Sequence, residues 1–113
     1  MNIYIKFLSL AHAVDRSSMH VSQADETSKQ LLGVIATRHS EGKTMSVTEA
    51  MALRSIASQA TIHRKLDDLR EAGLIELVFH GKNRRTKYIV PTDAANKYFS
   101  EIGSAIKNAC ETG

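Results

Sequence analysis

Tryptophan is absent from this chain of 113 residues, and aromatic residues make up only 5% of it. The chain has one proline, Pro91, and one cysteine, Cys110. A single cysteine forms no disulfide within the chain and builds no thiolate metal site alone, so we expect a protein of the reducing cytoplasm. Because aromatics are scarce, Leu, Ile, Val, Ala and Met must form the core. The 42% hydrophobic content is sufficient for one folded domain.

Long apolar segments are also missing. The apolar run over residues 3–14 is too short to span a bilayer, and it includes Lys6 and His12. It lacks the order of a signal peptide, in which basic residues come first and an unbroken apolar run follows. We therefore expect no association with a membrane.

Patterns typical of catalytic and cofactor sites are absent as well. The five histidines show no metal-ligand spacing with Cys, Asp or Glu, and no Gly-rich phosphate loop follows a strand. Asp67 and Asp68 are neighbours that point to different sides of a helix, so they form no carboxylate pair for catalysis. The sequence predicts a protein that is not an enzyme and that has no catalytic residues, no metal and no cofactor.

Positive charge is concentrated in one part of the chain, although the net charge is only +3. Residues 1–53 hold five Lys/Arg against five Asp/Glu, and residues 88–113 hold two against three. Residues 54–87 hold eight against four, so the whole excess lies there. A localised excess favours an anionic partner over a uniformly solvated surface.

Helical spacing and capping residues indicate where most helices begin. Asp25, Ser46 and Thr92 each precede an apolar helical stripe and should cap it. Glu49, three residues after Ser46, completes a capping box. Gly33 lies inside the helix that Asp25 starts, where glycine costs up to about 1 kcal/mol, so we expect a close packing contact there. A further helix over residues 2–15 is predicted by the spacing of Ile3, Phe7, Leu10 and Val14.

The run from residue 58 to residue 92 has the order helix, strand, basic turn and strand. Ser58 caps a helix that extends to Ala72, with an apolar stripe at spacings of four and three, and Gly73 ends it. Apolar residues 74–79 and 88–90 predict two short strands. The turn between them, residues 80–87, holds four Lys/Arg and no acid. This order is typical of a winged helix.

The same run contains the residues that we expect to contact DNA. With its stripe inward, the helix presents short and hydrogen-bonding side chains that can read base edges in a major groove. The cationic turn suits a polyanion, because each phosphate contact releases counterions. The candidate residues are Ser58, Gln59, Ala60, Thr61, His63, Arg64 and Lys65 in the helix and Lys82, Asn83, Arg84, Arg85 and Lys87 in the turn.

Three stretches also carry a family resemblance: residues 61–75, Arg84-Arg85-Thr86, and Thr92-Asp93-Ala94-Ala95. In them the chain resembles the winged helix-turn-helix regulators, most closely the MarR-like (multiple antibiotic resistance regulator) branch. The resemblance implies a mainly helical α+β fold with an antiparallel β-hairpin wing and flanking N- and C-terminal helices. It also implies sequence-specific binding of double-stranded DNA by a homodimeric transcriptional regulator, which we expect to be a repressor. Residues 58–72 would form the recognition helix and residues 80–87 the wing.

We therefore expect three segments. Residues 1–24 would form an N-terminal helix and linker used in dimerisation, residues 25–92 the winged helix-turn-helix domain, and residues 93–113 a dimerising C-terminal helix. Two other functions stay open, namely a protein-binding winged-helix module and a plasmid or phage replication or partition protein. The concentration of cations in the recognition helix and wing favours DNA over a protein partner. No sequence feature supports a small-molecule effector.

Overall fold

The computed structural model describes residues 2–18, 21, 24–82 and 84–112 of the chain. They form a mainly helical α+β fold with one two-stranded sheet, which confirms the expected winged helix-turn-helix architecture. In chain order the elements are α1 (Ile3–Ser17), α2 (Glu26–Ser40), α3 (Val47–Met51), α4 (Gln59–Glu71), β1 (Ile75–Val78), β2 (Tyr88–Pro91) and α5 (Asp93–Thr112).

Side-chain caps fix the starts of the helices where the sequence predicted them. Asp25 accepts a backbone N–H from the first turn of α2 at 2.8 Å. Ser46 and Glu49 form a complete capping box at α3, with reciprocal hydrogen bonds of 3.1 and 3.0 Å. Ser58 and Thr92 cap α4 and α5 in the same way. Each cap satisfies a backbone donor that the helix itself leaves without a partner.

The core lies between α2, α4 and the hairpin, and the first turn of α5 closes it. The inward stripe of α4 matches its sequence spacing, because all three stripe residues are buried. Burying a Leu or Ile side chain contributes roughly 1.5–3 kcal/mol, so this cluster holds α4 on the domain. Its largest fully buried members are Leu31, Leu32, Ile35, Met45, Ile62, Leu69, Leu74, Ile75 and Ile89, with Val21.

The hairpin is anchored to the segment that precedes α3. β1 and β2 pair antiparallel, with Val78 opposite Tyr88. On the outer side of β2, Ile89 donates its N–H to the carbonyl of Met45 at 2.8 Å, and Val47 donates to the carbonyl of Lys87 at 3.0 Å. These bonds cover part of the free edge of β2 and fix the root of the wing relative to α3 and α4.

The N-terminal helix α1 packs against α5 of the same chain. Asp15, near the end of α1, accepts a hydrogen bond of 2.6 Å from the hydroxyl of Tyr98 in α5. No side chain of α1 is buried, whereas Ala105 and Ala109 of α5 are. The end of this helix pair keeps apolar residues in solvent, namely Ile3, Tyr4 and Ile5 of α1 and Ile106 of α5.

The expected close contact at Gly33 is wrong. A Cβ added there would meet no atom within 4 Å. The reason is helical geometry, because Gly33 lies on the face of α2 opposite the buried Leu31 and Ile35. Glycine is required instead at Gly42 and Gly73, which follow α2 and α4 with left-handed φ of 75° and 77°.

Candidate nucleic-acid interface

The exposed face of α4 carries most of the side chains that the sequence assigned to DNA. Gln59, Ala60, His63 and Arg64 are exposed, and Ala60 and Arg64 lie opposite the buried stripe. Thr61 differs from the expectation, since it is only half-exposed and its hydroxyl accepts a 3.0 Å hydrogen bond from the hydroxyl of Ser58. The N-terminal half of α4 therefore exposes side chains that can hydrogen-bond to base edges, together with the small side chain of Ala60.

Lys65 has a partner that its sequence position did not indicate. Its ammonium group pairs with the carboxylate of Asp25, the cap of α2, and only 20% of its side chain is exposed. The hydrogen bond from Lys65, followed by the backbone N–H of Ser28, lowers the pKa of Asp25 to about 2. Lys65 is thus directed toward the start of α2 at the border of the exposed face.

The wing displays its cations in solvent. Lys82, Arg84, Arg85 and Lys87 are all exposed, and Gly81 turns the chain with a left-handed φ of 57°. Asn83, the remaining candidate in the wing, lies outside the described residues. The turn chemistry that the sequence predicted therefore places four positive side chains within a few residues of the hairpin tip.

Two aromatic contacts, which the sequence reading missed, organise the wing. The ring of His80 stacks on that of Tyr88 with centroids 4.2 Å apart and an angle of 11° between the planes. The guanidinium carbon of Arg84 lies 5.4 Å from the centre of the Phe79 ring, within the range of a cation–π interaction. The position of Phe79, directly before the cationic turn, was the sequence feature that could have indicated such a contact.

A cleft of about 340 Å³ separates the recognition helix from the wing. Its lining includes His63, Asp67 and Arg70 from α4, Arg85, Thr86 and Lys87 from the wing, and Thr48 of α3. α4 and the cationic wing therefore border one cleft. Arg70 and Thr48 were not predicted. Arg70, two turns after His63, repeats on the same helical face, which was a usable sequence signal.

The balance of charge in this cleft is positive. Arg70, Arg85 and Lys87 face it, and Asp67 is the single carboxylate among its lining residues. The Asp67 carboxylate lies 3.6 Å from Nδ1 of His63, a pair that is more than half exposed on both sides. A cleft with an excess of one sign of charge raises the local concentration of the opposite ion, here an anion.

Other classes of site have no support in the part of the chain that the structure describes. Within it, no cluster of three or more His, Cys, Asp or Glu side chains could hold a metal ion. None of its helices is both long enough and apolar enough to cross a membrane. The cleft beside α4 is therefore the candidate functional site.

Comparisons with known proteins define the class of fold. No protein-family model and no curated protein matches the sequence. A transcriptional regulator from Thermotoga maritima matches with a TM-score of 0.65 and 13% identity over 97% of this chain and 74% of that one. The transcriptional regulator PA4135 matches with a TM-score of 0.60 and 13% identity, over 96% of this chain and 76% of that one.

The MarR-like fold inferred from the sequence is confirmed by a third structure. AbsC, a MarR family transcriptional regulator from Streptomyces coelicolor, matches with a TM-score of 0.57 and 14% identity over 94% of this chain and 70% of that one. The chain therefore has the winged helix-turn-helix fold of these regulators, flanking helices included. Because the identities are this low, the likeness describes the fold, and function has to be argued from the site.

Proposed function

We propose that this protein is a transcriptional regulator that binds double-stranded DNA. The observation that supports the proposal is the shared cleft, in which His63 and Arg70 of α4 lie across from Arg85 and Lys87 of the wing. The same fold in three transcriptional regulators supports it. A module that binds only proteins would have no need to collect Arg70, Arg85 and Lys87 around one groove.

In the proposed complex α4 enters the major groove, which is about 12 Å wide and admits one helix. Gln59, His63 and Arg64 would then lie against base edges, while Ala60 allows close approach. The phosphate backbone beside that groove would run along the cleft, between the helix and the wing. Arg84 and Arg85 would reach the adjacent phosphates or the minor groove, where the negative potential is strongest.

We further infer that the protein is a homodimer held by α1 and α5. The apolar side chains left in solvent at the end of this helix pair support a self-complementary contact there. A twofold axis would place two α4 helices in successive major grooves, about 34 Å apart, on a near-palindromic site. Occupying such a site in a promoter would exclude polymerase, so repression in the cytoplasm is the expected outcome.

The test compares the wild type with Arg84→Ala/Arg85→Ala in binding to duplex DNA at several salt concentrations. The wing variant should lose affinity for all sequences, and its slope of log K against log salt should fall by about two. Lys97→Ala/Lys107→Ala removes the same charge from exposed positions of α5, outside the cleft, and should keep the wild-type slope. An unchanged slope in the wing variant would remove the wing from the interface. A wild type without salt-dependent binding would refute the function itself.

A further inference from the structure

The start of α2 is a polar junction between three other helices. Asp25 caps α2 and pairs with Lys65 of α4. Lys29, one turn later in α2, donates to Asp15 of α1 at 2.8 Å. The second oxygen of Asp15 accepts the hydroxyl of Tyr98 in α5 at 2.6 Å. Side chains around one turn of α2 thus connect the recognition helix to the α1–α5 pair.

Three of the four charged side chains in these ion pairs are mostly covered. The side chains of Lys29 and Asp15 are 27% and 19% exposed. In the second pair the side chain of Lys65 is 20% exposed and that of Asp25 is 51% exposed. A lysine free of a partner usually keeps its ammonium group in water, so the covered position of Lys65 indicates that Asp25 holds it. Partial burial reduces the screening by salt for the Asp15–Lys29 pair, whereas the half-exposed Asp25 leaves its pair with Lys65 more open to screening.

Asp25 holds Lys65 against a rigid element. One carboxylate oxygen of Asp25 accepts the backbone N–H of Ser28, and the other pairs with Lys65. The carboxylate is therefore fixed to the backbone of α2, whose inward face is packed in the core. Because the pKa of Asp25 is lowered to about 2, the carboxylate is charged at every physiological pH.

Lys65 lies at a position where a contact with a neighbouring helix would limit the rotation of α4 about its axis. On the helix it borders the buried stripe of Ile62 and Leu66, whereas Arg64 points to the opposite side. A rotation of α4 about its axis would therefore shift Arg64 and His63 relative to the base edges. A contact at the border of the buried face, tied to a neighbouring helix, opposes that rotation.

We propose that Asp25 and Lys65 are positioning residues: their pair sets the angle at which α4 meets the major groove, and Lys65 makes no phosphate contact of its own. The inference rests on the proposed DNA binding and refines the sequence expectation that Lys65 contacts DNA directly. It assigns specificity to a residue of α2 that lies outside the recognition helix and the wing.

The test uses Asp25→Asn, Lys65→Met and the double variant, each binding a site selected by the wild type and a random duplex. Asn keeps the acceptor that caps α2, and Met keeps the apolar stem of the lysine. Both single variants should lose preference for the selected site, on the order of tenfold, and the double variant should lose no more than either, because one interaction is removed once.

The salt slope separates positioning from direct contact. Lys65→Met should keep the wild-type slope, since no phosphate contact is lost. Asp25→Asn should steepen it by about 0.9, because the released lysine can reach a phosphate, and the double variant should return to the wild-type value. A merely structural role would leave all three slopes equal. Lys65→Arg, which retains the pairing charge, should restore the preference for the selected site.

Two outcomes would overturn the proposal while leaving the proposed function intact. One is a slope lowered by about one in Lys65→Met, which would make the lysine a phosphate contact. The other is an unchanged sequence preference in folded Asp25→Asn and Lys65→Met, with folding checked by circular dichroism. Wild-type protein that binds no duplex would instead refute DNA binding itself, and the positioning role with it.

Discussion

Gly33 is the position at which a single added methyl group should stabilise this fold. It lies within α2 and is not one of the glycines with a left-handed φ. A Cβ there would meet no atom within 4 Å. Alanine also leaves the carbonyl of residue 33 free to accept the 2.8 Å hydrogen bond from the hydroxyl of Thr37. The substitution therefore removes conformational freedom from the unfolded chain without a steric cost in the folded one.

The expected gain follows from helix propensity. Glycine in a helix interior is less favourable than alanine by about 0.8–1.0 kcal/mol. For a domain of this size, that gain should raise Tm by about 4–8 °C. Gly103→Ala in α5, where a Cβ likewise meets nothing within 4 Å, should give a similar increase. Gly42→Ala is the opposite control, because its φ of 75° should cost an alanine about 1–2 kcal/mol.

Thermal and urea unfolding of the three variants and the wild type would decide the matter. Protein concentration must be held constant, because the Tm of a dimer depends on it. The urea midpoint of Gly33→Ala should rise while its m-value stays constant, which identifies a change in stability alone. If the midpoint instead falls, the space around Gly33 is filled in solution by another surface, and the reasoning from the single chain is refuted.

Three further predictions concern DNA reading, pH and assembly. Gln59→Ala and Arg64→Ala should each change the preferred base pairs, by about 1–3 kcal/mol for a lost contact, and an unaltered motif after selection from random DNA would contradict reading by α4. Burial and the hydrogen bond to Asp15 raise the pKa of Tyr98 above its ordinary value, so the unfolded chain loses this proton first and stability should fall above pH 10. In Tyr98→Phe the free energy of unfolding should decrease less with pH above 10. An equal decrease in variant and wild type would contradict the role of Tyr98. Ile106→Glu, at a side chain 49% exposed, should shift sedimentation from dimer to monomer, whereas an intact dimer would place the interface elsewhere.

The parts of the fold that the sequence predicted are those set by local chemistry. The cap of Asp25, the Ser46–Glu49 box and the cap of Ser58 each depend on residues within one helical turn, so their spacing is readable directly. The stripe of α4 was readable because burial repeats with the helical period. The cationic turn was identified by composition alone, and the hairpin followed from the apolar runs on either side of it.

What could not be predicted depends on contacts between distant parts of the chain. Lys65 meets Asp25 across 40 residues, and Tyr98 meets Asp15 across 83. No periodicity couples such positions, so the sequence could not indicate that Lys65 has a carboxylate partner. Gly33 was misjudged for a related reason. Glycine in a helix signals either a close neighbour or an uncovered face, and only the packing of α2 distinguishes the two.

The wing illustrates how one set of charges can serve both the free and the bound protein. Four cations within residues 82–87 repel one another, and a hairpin with strands of four residues is marginal alone. The stacking of His80 on Tyr88, the Phe79–Arg84 contact and the bonds to the segment before α3 offset that repulsion. A wing already ordered in this way loses little conformational entropy on binding. A bound polyanion also relieves the repulsion between these cations. The repulsion that destabilises the free hairpin therefore favours the complex.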